Sequence, residues 1–63
     1  MNITIDQIPA KAVMIGNWLV IEQIAYKVLF IESRRQDRFR FGFQDDKYIY
    51  VDANSQVSVL RAK

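Results

Sequence analysis

Apolar and polar residues alternate between Arg38 and Asp52. Phe39, Phe41 and Phe43 hold odd positions; Arg38, Arg40, Gly42 and Gln44 hold even ones. Successive side chains of a strand point to opposite faces, so one face is phenylalanine and the other basic and polar. A second run sets Ile49 and Val51 against Tyr48, Tyr50 and Asp52. Asp45-Asp46-Lys47 between the runs has turn chemistry. A three-residue loop there pairs Phe43 with Ile49, Phe41 with Val51 and Arg40 with Asp52. A two-residue loop would mix the faces, because a one-residue slip inverts every side chain. The three-residue loop needs a left-handed or bulged residue near Lys47, and without a glycine Asp46 must tolerate it. The pattern predicts a hairpin with its phenylalanines inward. Arg38, Arg40, Tyr48 and Tyr50 then share the outer face, with Gly42 as a shallow gap among them.

The rest of the chain reads as short strands. Asn2–Asp6 alternates and suits an edge strand. Residues 7–14 hold the one helical candidate, with Asp6 as cap, Pro9 in the first turn and Gly16 as terminator. An isolated piece of that length is not a stable helix, so at most one helical turn near residues 9–14, or equally an extended approach to the next strand, is expected. Ile15–Glu22 enters a strand and Ala25–Glu32 forms another, joined through Gln23-Ile24 as an antiparallel hairpin. Val28–Ile31 is apolar on both faces, as where one long bent strand serves both halves of a barrel core. Ser33–Asp37 reads as an exposed polar loop and Ala53–Ser55 as a turn. Gln56–Leu60 is the last strand, with Val57 and Val59 inward, followed by the basic Arg61-Ala62-Lys63. Trp18 belongs to the core or the barrel rim.

The sum is an all-β domain over residues 1–63: a small antiparallel SH3-like barrel of five or six strands. The Gly-Asn-Trp-Leu-Val-Ile strand, its Tyr-Lys-Val-Leu-Phe-Ile partner and the Val-Ser-Val closing strand carry that resemblance, over about residues 13–60. It is one of fold and implies no particular function. Arg40-Phe41-Gly42-Phe43 with Tyr48–Asp52 also resembles the aromatic nucleic-acid-contacting stretches of cold-shock domains. In those the aromatics face outward to stack on bases, whereas here the alternation turns the phenylalanines inward. Arg40 also stands where such domains have a first glycine, and no Lys-Trp-Phe strand precedes it.

Composition narrows the chemistry. The chain has no cysteine and no histidine. There is no disulfide framework or thiolate metal site, and the commonest proton-transfer side chain is missing. The serines have no histidine to activate them, and the two glycines form no phosphate loop. No catalytic residue, metal site or cofactor is expected, and the chain reads as a non-enzyme. No apolar run reaches membrane-spanning length and no signal peptide is evident, so a cytoplasmic protein without a membrane partner is the default. The net charge is +2, and four arginines lie between Arg34 and Arg40 against the single Asp37. The first functional expectation is therefore a nucleic-acid-binding barrel for DNA or RNA. Arg34, Arg35, Arg38, Arg40, Arg61 and Lys63 would meet phosphates, and Tyr48 and Tyr50 would stack. The alternative is a protein-interaction module: an accessory subunit, a small inhibitor or a self-assembling barrel, its partner another protein or a second copy in a homodimer. High apolar content in so short a chain motivates it.

Overall fold

A computed structural model describes residues 2–35 and 37–62, without the side chains of Arg34 and Arg35. Seven strands form two antiparallel sheets, rather than the five or six of the sequence reading, and neither sheet closes into a barrel. The larger sheet has the order β1-β7-β2-β3, from Ile3–Pro9, Gln56–Ala62, Trp18–Ile21 and Ile24–Lys27. The smaller is the meander β4-β5-β6, from Phe30–Arg35, Arg38–Gly42 and Tyr48–Asp52.

The expected long strand over Ala25–Glu32 is divided. Its first half pairs with β2, and its second half pairs with β5 in the other sheet. Val28 and Leu29 make the crossing. The Val28 amide donates to the Asn17 carbonyl and the Leu29 amide to the Gly42 carbonyl, each at 2.8 Å. The apolar double-faced run is thus the hinge between sheets, and Val28 is fully buried there. The hinge replaces barrel closure: short strands turn from one sheet into the other without pairing across the far side.

The core lies between the sheets. Phe41, Leu19, Val28 and Val59 are its fully buried large side chains, with the small Ala10 equally buried and Phe43 and Val13 nearly so. Ile49, Val51, Val57 and Phe39 pack against them. The inward assignments made from alternation therefore hold for Phe39, Phe41 and Phe43 in the middle of the chain and for Val57 and Val59 near residue 60.

Turn chemistry explains where the boundaries differ. The β2–β3 hairpin turns at Glu22 and Gln23, both with positive φ (51° and 70°). Two left-handed residues in a two-residue loop match the twist of the flanking strands, a geometry that usually favours Asn-Gly. β1 runs on to Pro9, so Asp6 is a strand residue paired with Val59 and caps no helix. Only a 310 turn, Ala10–Ala12, remains of the helical candidate. The first part of the expected 33–37 loop is strand: β4 reaches Arg35 with a bulge between Ser33 and Arg35.

Two measurements test this packing. Phe41→Ala should cost about 3–5 kcal/mol by cavity formation. The whole stability of a domain this size is roughly 3–9 kcal/mol, so this one change should leave little or no folded protein in a urea titration. Gln23→Gly should instead raise the urea midpoint, by about 1 kcal/mol of stability, because it relieves a left-handed non-glycine residue.

Candidate functional site

The β5–β6 pairing fixes the outer face of the smaller sheet. Phe41 lies opposite Ile49, Phe39 opposite Val51, Arg40 opposite Tyr50, Gly42 opposite Tyr48 and Arg38 opposite Asp52. This corrects the expected register by two residues. The loop is longer because Phe43 leaves the strand, and its amide donates to the Lys47 carbonyl at 2.8 Å. Gln44–Asp46 forms a 310 turn between them, with Asp45 and Asp46 both left-handed. A slip of two keeps every side chain on its original face. The phenylalanines therefore point inward, with Phe41 and Phe43 buried and Phe39 partly so. Tyr48 and Tyr50 stand in solvent, 51% and 48% exposed.

Sequence reasoning missed Phe30 and Glu32, which β4 brings to the same face. Phe30 pairs with Gly42 and Glu32 with Arg40. The gap expected at Gly42 is filled, because the Phe30 ring lies over it where a β-carbon would collide with ring atoms. An aromatic ring across a strand glycine supplies the packing that the glycine lacks. The signal was the alternation Phe30-Ile31-Glu32-Ser33, obscured because Val28–Ile31 reads as continuous core.

Arg40 is the hub of the face. Its guanidinium bonds to the Glu32 carboxylate at 2.5 Å, and it lies 5.0 Å from the Tyr48 ring centre and 5.5 Å from that of Phe30. Burial pulls its pKa down, but hydrogen bonding to Glu32 and Tyr50 outweighs this and holds it above the ordinary arginine value. Arg40 thus stays charged at any accessible pH. Tyr48 meets Tyr50 edge-on, with ring centres 5.5 Å apart. Arg38, at the end of the face, lies 3.6 Å from Asp52, and both side chains are more than half exposed. Such a surface pair contributes little, so another anion can replace the carboxylate at small cost.

The remaining expected contact residues lie apart from this cluster or outside the described residues. Arg34 and Arg35 belong to β4 by backbone, next to the face, but their side chains are outside the described residues. Arg61 is in β7 of the larger sheet, 3.8 Å from Asp6, and does not join Arg38 and Arg40. Lys63 lies outside the described residues. Trp18 belongs to neither a core nor a barrel rim: it stands on the outer face of the larger sheet, 45% exposed. Tyr26 is half-buried and stacked on Phe43 at 5.1 Å with Lys47 above it.

Among the described residues no three acidic side chains converge to hold a metal ion, and no helix is long and apolar enough to cross a membrane. The chain matches no protein-family model, no curated protein and no solved structure.

The packing of Phe30 on Gly42 has a direct readout. Ring current from Phe30 should shift the Gly42 α-protons upfield in the NMR spectrum. Phe30→Ala should return them to ordinary positions and lower stability by about 1–2 kcal/mol, reflecting partial burial of the ring and its contact with Arg40.

Proposed function

We propose that this chain is a non-enzymatic module that binds single-stranded nucleic acid on the outer face of β4-β5-β6. The observation that carries the reading is the grouping of three exposed aromatic rings, Phe30, Tyr48 and Tyr50, around the permanently charged Arg40. Single strands are held by this combination: bases stack on aromatic faces, whatever their identity, while cations follow the backbone. The face is part of a sheet, so its rings are fixed by strand pairing and lose little freedom on binding.

The residues divide by role. Tyr48 and Tyr50 offer stacking surface at the solvent edge. Arg40, tied to Glu32, positions Tyr48 and Phe30 more than it meets phosphate. Arg38 is the phosphate contact on the face, exchanging Asp52 for a phosphate oxygen. The further phosphate contacts are assigned to Arg34 and Arg35 on the sequence alone, their side chains being outside the described residues. Arg61 forms no part of this face and is assigned to the other sheet. A protein-interaction role is supported by a separate surface, the apolar outer side of the larger sheet.

Binding to random single-stranded DNA and RNA oligonucleotides, followed by fluorescence anisotropy, tests the reading. Tyr48→Ala and Tyr50→Ala should each weaken binding by about 1–3 kcal/mol. With about three phosphates engaged, affinity should drop roughly 20-fold between 50 and 200 mM salt, and Arg38→Ala should reduce that slope by about one phosphate. Binding that ignores salt, or that is unchanged in both tyrosine variants, would overturn it.

A further inference from the structure

The larger sheet is inverted at its β1 side. Residues paired across a sheet share a face. Val59 is fully buried and lies opposite Asp6, and Arg61 lies opposite Thr4, so these polar residues stand on the inner side. Ile3 and Ile5 therefore point outward, 65% and 57% exposed. Their partners Ala62 and Leu60 point outward as well. Extending the Leu19↔Val59 register by one residue puts Trp18 beside Leu60. Ile3, Trp18, Ala25, Leu60 and Ala62 line one shallow depression, with Arg61 at its rim. A sheet face exposed to water normally carries the polar set, and here two isoleucines and the only tryptophan occupy it.

We propose that this outer face is the interface of a homodimer, covered by a second copy of the same chain. Three observations select a second copy. The centre of the face holds no charged residue, so bringing two copies together opposes no like charges. Its polar residues do not oppose this: Gln7 and Ser58 satisfy each other by a hydrogen bond within the sheet, and Lys27 stands on the outermost strand beside Trp18. The surface is a regular pleated sheet, whose natural cover is another sheet about 10 Å away.

The geometry also closes on itself. β7 lies inside the sheet, with β1 on one side and β2 on the other. A two-fold axis along β7 lays β1 of each copy over β2 of the other. Ile5 of one copy then meets Trp18 of the other, and the reciprocal contact follows by symmetry.

Size sets the strength. Four strands about 4.8 Å apart and about five residues long present roughly 300 Å² of flat face, and more when the standing side chains are counted. That is below the size of a stable complex and suits a weak, dissociable dimer. The dimer should therefore form and separate in an accessible concentration range. It leaves both β4-β5-β6 faces outward, so it is independent of nucleic-acid binding.

Sedimentation velocity and tryptophan emission, run together from about 1 μM to about 1 mM, test the proposal. The expected result is a shift from monomer to dimer mass, with a blue shift and reduced iodide quenching of Trp18 over the same concentrations. Ile5→Lys and, separately, Ile3→Lys should hold the chain monomeric with Trp18 in water, while circular dichroism shows the fold retained. Tyr50→Ala, on the opposite side of the molecule, should leave the dimer unchanged. A wild-type chain that stays monomeric with constant emission across the range would overturn the proposal. So would a dimer that survives both lysine variants, or a Trp18 that becomes covered only when a different protein is added.

Discussion

The structure depends on burying Phe41 between two thin sheets. Its ring comes from the middle strand of the meander and reaches the layer that holds Leu19 and Val59 from the larger sheet, beside Val28 at the hinge. A chain this short can afford few such side chains, because small domains hide only a modest share of their surface. One apolar layer is all that joins the halves. Each strand spends its inward positions on that layer, and alternation then decides what is left outside.

The two outer faces differ for this reason. On the meander, the inward phenylalanines of β5 force Arg38 and Arg40 outward, and the inward Ile49 and Val51 force out the tyrosines. Arginine, aromatic rings and one carboxylate then organise one another at close range. On the larger sheet the outward positions of β1, β7 and β2 hold Ile3, Ile5, Leu60 and Trp18. Hydrophobic residues on that side cannot be explained by the single internal layer. The molecule therefore presents one polar-aromatic side and one greasy side, and a ligand suited to one is unsuited to the other.

Much of this was legible from period-two alternation. It placed Phe39, Phe41, Val57 and Val59 inward and Tyr48 and Tyr50 outward, and those assignments survived a register error because the error was an even number of residues. Alternation could not reveal strand order. Nothing local in Gln56–Ala62 says that it lies between β1 and β2, and without that order Ile3, Leu60 and Trp18 cannot be seen to share a face. It also could not count the residues in the 43–47 loop, where two left-handed aspartates and an amide–carbonyl bond from Phe43 set the length. Phe30 escaped because a fully apolar stretch has no visible parity. Its place over Gly42 emerges only once β4 is paired with β5.

The position of β7 has a consequence for how the chain assembles. The meander is continuous, so its strands meet through short local connections and can organise early. β1 has no such option: β7, the strand that separates it from β2, leaves the ribosome after both. Until residues 56–62 emerge, β1 has no neighbour, and its isoleucines wait unpaired beside a finished hairpin. Late arrival of a central strand is a setting in which nascent chains borrow a partner from each other.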